Sequence, residues 1–313
     1  MNVPARFRVG VATHTGVVRS TNEDDYLLLA PPAAGAPFAL VTAVADGMGG
    51  VTGGAEASRT GLRGFASGLL GGPDQGASDT GIPALEAAVR RAFAGACARV
   101  HQQSRLVPAL RDMGTTLTAI AFTDATAVIG HVGDTRAYRL RGGQLEQLTI
   151  DHAASEQQNR LLRCIGGGQS EETPDLLATE LLPGDRFLLC SDGVWSTVGQ
   201  PRIAEALQRL DAQPAAARLV QLANAAGGPD NATALVVHVG PVPIGTGSGD
   251  AVEVDLPAEE SSRAAELSRR AGGARAPLWP WLLLAVAAVV VAAVLLDLLF
   301  EVDLWLWLRS LAR

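Results

Sequence analysis

Lysine is missing altogether: all 25 basic side chains of this 313-residue chain are arginine. Without an ε-amine there is no Schiff-base chemistry of the pyridoxal type. Phosphate-binding loops and kinase sites whose lysine reaches a phosphate are excluded as well. Cysteine is scarce, with Cys97, Cys164 and Cys190 far apart and no C-x-x-C, so zinc-knuckle, dithiol and disulfide-framework readings have no support. The five histidines form no H-x-x-x-H pair. Charged residues make up only 18%, too few for a charge-rich disordered chain. Acidic residues number 32, giving a net charge of −7, the wrong sign for coating nucleic acid. The first 25 residues hold Arg6, Arg8, Arg19, Glu23, Asp24 and Asp25 and no apolar run of signal-peptide length, so the N-terminal part is expected to stay in the compartment where it is made.

What is present divides the chain at about residue 240. Up to there, β-branched segments bounded by turn residues predict strands at 7–12, 26–29, 39–45, 116–122, 127–132, 137–140, 178–181, 186–190 and 232–239. Ala-rich segments with one apolar face predict helices at 55–70, 83–103, 201–209 and 215–225. Neighbouring strands joined by short turns, with helices in pairs, predict an α+β sandwich of antiparallel sheets rather than a doubly wound parallel sheet. Residues 241–277 are rich in Gly, Pro, Ser and Glu and read as a flexible linker.

Residues 278–296 then run for nineteen positions without a charge, about 28 Å as a helix, which matches the hydrocarbon thickness of a bilayer. Trp279 and Trp281 stand at its entry, where interfacial aromatics belong. Arg263, Arg269, Arg270 and Arg275 precede it, whereas Asp297, Glu301 and Asp303 follow. The positive-inside rule puts the preceding domain in the cytoplasm. A single-pass anchor in the cell membrane is therefore expected, with residues 297–313 as a short interfacial tail.

Aspartate recurs where apolar strands break into turns: Asp46-Gly47, Asp134 and Asp192-Gly193 end strands, and Asp230-Asn231 precedes one. A lone Asp-Gly is usually only a turn. Several such strand ends on one rim of a sandwich, however, bring carboxylates together, with Glu23 and Asp24 beside them. Unpaired carboxylates that close raise one another's pKa unless a cation lies among them. An all-oxygen donor set selects magnesium or manganese over zinc or copper. Two such ions suit phosphate-ester hydrolysis, and Arg19, four residues before Glu23, is a candidate clamp for phosphate oxygens.

Seven ordered motifs carry a family resemblance: Arg19-Ser-Thr-Asn-Glu-Asp24, Ala45-Asp-Gly-Met-Gly-Gly50, Gly114-Thr-Thr116, Val132-Gly-Asp-Thr-Arg136, Leu148-Thr-Ile-Asp-His152, Cys190-Ser-Asp-Gly-Val-Trp195 and Pro229-Asp-Asn231. Together they resemble the bacterial branch of the metal-dependent serine/threonine protein phosphatases, type 2C, over about residues 5–240. The resemblance implies an α-β-β-α sandwich with a dinuclear manganese or magnesium centre. It implies that Asp46 bridges the metals, that Asp192 and Asp230 complete one, and that Glu23 and the Gly47 carbonyl serve the other. Asp24 would orient metal-bound water, Arg19 would hold the substrate phosphate, and Asp134 with Asp192 would take a third, weaker metal.

The implied reaction is attack of a metal-bridged hydroxide on phosphoserine or phosphothreonine. Phosphorylated proteins, above all membrane-associated kinases or their substrates, are the implied partners. A non-enzymatic phosphoprotein-binding module and a regulator of a partner-switching pathway are the alternatives. Met48 stands where some eukaryotic members have histidine, and Val51 where many bacterial members do; only residues 153–159 separate His152 from Arg160, which shortens the flap. His152 reads as a hydrogen-bonding structural residue and Trp195 as packing beneath the Asp192 turn.

Overall fold

The computed structural model describes residues 3–30, 36–71, 81–153, 161–168 and 173–241. All but the first residue of the expected linker, the whole apolar run and the tail lie outside these, as do residues 154–160 of the flap. Among the described residues no helix is long and apolar enough to cross a membrane.

In chain order the elements are β1 (Phe7–His14), β2 (Asp24–Leu29), β3 (Leu40–Met48), α1 (Gly50–Leu70), α2 (Ile82–Leu106), β4 (Gly114–Thr115), β5 (Leu117–Phe122) and β6 (Thr126–Val132). They continue with β7 (Arg136–Arg141), β8 (Gln144–Gln147), β9 (Ile165–Gly166), β10 (Asp175–Glu180), β11 (Arg186–Cys190), α3 (Asp192–Val198), α4 (Gln200–Arg209), α5 (Ala212–Ala225) and β12 (Ala232–Val239). One sheet has the order β1-β12-β11-β7-β8; the other runs β10-β6-β5-β3-β4-β9, with β2 also paired to β3. Every pairing is antiparallel, as the short turns between strands predict.

The period of two along the strands assigns each side chain to a layer. On β3, Leu40 and Val44 enter the core between the sheets with Ile120, Phe122, Phe187 and Leu235. Val41, Ala43 and Ala45 point the other way, under Phe65 of α1 and Phe93 of α2. On β11, Phe187 and Leu189 face the other sheet, whereas Leu188 and Cys190 meet Ile203, Leu207 and Leu219 of α4 and α5. Both faces of the central strands are covered, so they read as unbroken apolar runs rather than alternating ones. The result is the expected four-layer order of helices, sheet, sheet and helices.

Four differences from the sequence reading have physical causes. Helix α1 begins at Gly50 rather than 55 because the glycine-rich opening, which reads as a loop, is held against the end of β3. The Asp192 turn continues as α3, which places a carboxylate in the first helical turn, where the helix dipole favours it. Strands β4, β8 and β9, of two to four residues, exist through their pairing partners. Likewise β10 starts at Asp175, earlier than 178, because its register pairs Asp175 with His131 of β6.

Candidate metal centre

The ends of β3, β6 and β11 and the start of β12 open onto one cleft of about 1060 Å³. Its wall contains Arg19, Glu23, Asp46, Gly47, Asp134, Asp192 and Asp230, all but one of the residues singled out in the sequence. Asp24 stands behind the wall, buried, where the Ser191 hydroxyl donates to its Oδ2 at 2.6 Å. Ser191 in turn accepts the Thr233 N–H. Asp24 and Asp46 are direct cross-strand partners in the β2–β3 ladder. Like charges in that relation destabilise a sheet.

The backbone fixes Asp46 independently of its carboxylate. Its carbonyl accepts the Thr116 N–H and the Thr115 hydroxyl, and its N–H donates to Thr116 Oγ1. One residue on, Gly47 touches the first turn of α1 so closely that a Cβ would lie 1.9 Å from the Gly54 carbonyl oxygen. A Cβ on Gly54 would meet Glu23 Oε1 at 2.3 Å. Glycine at both positions lets β3, α1 and Glu23 share one corner. Gly47→Ala is expected to cost at least the roughly 1–3 kcal/mol of ordinary overpacking, because backbone, not a flexible side-chain tip, must move. Denaturant midpoints would register it; an unchanged midpoint would contradict the contact.

Electrostatics follow from this crowding. Burial, then Asp24, Asp192, Asp134 and Asp230, push Asp46 well above the carboxylate range. Burial, then Asp192 and Asp151, raise Asp134 to about 7. Asp24 and Asp192 are raised as well, chiefly by burial and then by other carboxylates. Glu23 is raised by burial although Arg19 opposes the shift. Asp24 Oδ1 and Asp192 Oδ1 are buried without a hydrogen-bond partner.

Orphaned, mutually repelling acceptors fit a hard divalent cation, and the described lining residues include no imidazole or thiolate. The carboxylates share the cleft without converging on a point: among the described residues no three acidic, His or Cys side chains already form a ligand cage. Asp230 is turned toward Arg19, whose Nη2 lies 2.7 Å from its Oδ2. Arg19 is therefore at the rim, held by a carboxylate. Its hydrogen bond to Asp230 raises its pKa further.

The other half of the cleft was not assigned from the sequence, although its residues sit in the quoted motifs. Arg136 donates to both oxygens of Asp151 at 2.7–3.0 Å, and its guanidinium lies 3.5 Å from the ring centroid of Trp195. Trp195 packs on the α3–α5 core as expected, but its edge also lines the cleft and its indole N–H donates to the Asp134 carbonyl at 3.0 Å. His152 is held structurally: Nδ1 accepts the Gly133 N–H, and Nε2 lies 3.0 Å from Asp175 Oδ2 and 2.9 Å from Arg163 Nη1. Asp134 is thus carried on a turn braced from both sides. Leu161 and Ala153 form a bridge that ties the two ends of the flap together.

The sequence profile described as Protein phosphatase 2C matches residues 17–235. The serine/threonine protein phosphatase PstP of Mycobacterium tuberculosis is 34% identical over 288 residues, covering 84% of this chain and 52% of that protein. The protein phosphatase PhpP of Streptococcus pneumoniae is 32% identical over 45% of this chain and 64% of its own length. The chain thus spans about half the length of the first relative and under two thirds of the second. Among solved structures, the M. tuberculosis phosphatase PstP/Ppp superposes with a TM-score of 0.64 at 33% identity, covering 75% of this chain and 99% of that one. The catalytic domain of PstP in complex with two manganese ions gives 0.62 at 35% identity, over the same shares. The matched residues run from the loop before Arg19 into β12 and so take in strands of both sheets and every carboxylate of the cleft, which makes this chain a member of the protein phosphatase 2C family.

Proposed function

We propose that the chain is a metal-dependent phosphatase that hydrolyses phosphoserine and phosphothreonine in proteins. The observation that carries this reading is the set of buried, unpartnered carboxylate oxygens in an all-oxygen cleft with an arginine at its rim. Asp46, Asp192 and Asp230, with Glu23 and the Gly47 carbonyl, would hold two manganese or magnesium ions, and Asp134 with Asp192 a weaker third. When bound, these ions supply Lewis-acid charge stabilisation and an acidified water.

The chain's own groups do the rest. Arg19, on exchanging Asp230 for substrate, grips two phosphate oxygens. Asp24 presents a buried acceptor behind Asp46, fixed in orientation by Ser191. The Arg136–Asp151 pair is internally neutralised and lines the cleft as a fixed wall. The test is phosphate release from a phosphothreonine peptide by the full chain with Mn²⁺ and with a chelator. A rate that ignores both would sink the assignment.

The cytoplasmic, membrane-tethered arrangement belongs to the same proposal and rests on the apolar run at 278–296 with arginines before it. A linker of ~35 residues spans only about 30–35 Å on average, which concentrates the catalytic domain near membrane-associated phosphoproteins. Protein kinases at that surface, or their substrates, are the natural counterparts. Deleting residues 277–313 is expected to move the protein to the soluble fraction with peptide hydrolysis unchanged. Retention in the membrane fraction would contradict the anchor.

A further inference from the structure

Charge is distributed unevenly between the two helical layers. The α1–α2 layer carries Arg59, Arg63, Arg90, Arg91, Arg99 and Arg105, all exposed, against only Glu56 and Glu86. Arg59 has a partner, Glu56, at 3.7 Å. For the other five, no carboxylate among the described residues lies within ion-pair reach. The opposite layer is close to balanced, and Arg209 there pairs with Glu205 at 3.2 Å. A strongly cationic face on a chain of net charge −7 is more than general solubility requires, because solubility is served by either sign spread evenly.

Packing concentrates this face. A Cβ on Gly64 would lie 2.5 Å from the Gly95 carbonyl oxygen and 3.0 Å from Arg99 Cβ, and one on Gly68 would lie 2.6 Å from the Arg91 carbonyl oxygen. The two helices therefore touch backbone to backbone, with Arg91 and Arg99 at the seam and Arg63 exposed on α1. Leu106 is 69% exposed at the end of α2, and Leu70 and Ile82 are about half exposed where α1 ends and α2 begins. Arginines with exposed aliphatic residues at the margins are the composition of a surface that lies on lipid headgroups.

We infer that the outer face of α1–α2 docks on an anionic phospholipid surface. The choice of lipid over another polyanion rests on the proposed membrane anchor, which would hold the domain within reach of a bilayer. Guanidinium groups bind lipid phosphates bidentately, and each arginine near an anionic leaflet strengthens association about fivefold. Helix α1 starts beside the cleft, at Gly50, and leads away from it for about 30 Å. Contact along its outer side leaves the cleft open to phosphoproteins at the same surface.

The test uses the full chain with Ala98→Cys, an exposed position on α2 between Arg91 and Arg105. A fluorophore there is selectively placed, since Cys97, Cys164 and Cys190 are buried. The protein is reconstituted into vesicles of phosphatidylcholine alone or mixed with phosphatidylglycerol, each doped with a quencher-bearing lipid. Quenching is expected in the anionic vesicles only. It should fall as salt shortens the Debye length from about 10 Å toward 3 Å. It should fall more than tenfold in apparent docking constant when Arg63, Arg91 and Arg99 all become alanine.

Equal quenching in neutral and anionic vesicles, or none in either, overturns the docking face. Flotation of the chain with neutral vesicles reports the anchor separately. Its absence overturns the tether on which the docking rests, whereas flotation without anionic quenching overturns the docking alone. If the triple variant melts early, Arg63→Ala and Arg99→Ala singly, each expected to weaken docking about fivefold, serve in its place.

Discussion

Asp46→Asn is expected to abolish Mn²⁺-dependent hydrolysis while raising the melting temperature of the metal-free protein near neutral pH. Asp46 sits directly across the β2–β3 ladder from Asp24 and is half-buried among three further carboxylates. Asparagine keeps the shape and leaves the backbone bonds to Thr115 and Thr116 in place. It removes a group that the metal-free fold must either keep charged against its neighbours or protonate near neutral pH, where the unfolded chain leaves it ionised at no such cost. Like charges opposed on an exposed strand pair cost about 0.2–1 kcal/mol, and burial strengthens the repulsion. A gain of about 1 kcal/mol or more corresponds to a rise of ~2–4 °C or more for a domain of this size. The rate should fall by more than the roughly 10–100-fold that the loss of an outer-shell partner costs at a metal site. Calorimetry in chelator and a phosphate-release assay measure the two effects. A lower melting temperature together with retained activity would contradict the placement of Asp46 at the centre.

The second large effect is an inverted pH dependence in the metal-free protein. Asp134 is raised to about 7 by burial and then by Asp192 and Asp151, against about 3.9 in an unfolded chain. Asp24, Asp46 and Asp192 shift in the same direction. Between those limits the folded state holds more protons than the unfolded one, so stability is full below about pH 4 as far as these groups are concerned. It is lost progressively as pH rises toward about 7. Ordinary salt-bridged aspartates give the opposite slope. Saturating Mn²⁺ binds the deprotonated carboxylates, so its stabilisation should grow with pH over the same window and cancel the loss. Melting temperatures between about pH 5 and 8, with chelator and with Mn²⁺, decide this. Parallel curves would show that these carboxylates do not govern stability.

The four strand-end aspartates of the cleft were legible in the sequence because each sits where an apolar strand ends or begins, and a rim of strand ends is a local pattern. Asp46, Asp134, Asp192 and Asp230 needed only the alternation of apolar runs and turns to be noticed. Their partners needed contacts between residues far apart in the chain. Ser191 reaches Asp24 over 167 positions, and Arg19 reaches Asp230 over 211. No window of sequence contains such a pair. The same limit explains α3 and the early start of α1: glycines near Asp46 and Asp192 read as loops, yet Gly47 and Gly54 are small because a helix is pressed onto a strand end.

By itself the sequence determined the chemistry available and the layered architecture. With no lysine, few cysteines and repeated strand-terminal aspartates, it left oxygen-bound metal and arginine as the means of handling phosphate. The period of two along the strands and the apolar faces of the helices prescribed sheets covered by helix pairs. Only the tertiary structure decided which carboxylates share a cleft, that Asp24 stands behind rather than in its wall, that Arg19 is held by Asp230, and that Trp195 braces the Asp134 turn. The physical reason is range. Patterning is set by neighbours along the chain, whereas the electrostatics of the site come from burial and from charges that only packing brings within a few ångströms of one another.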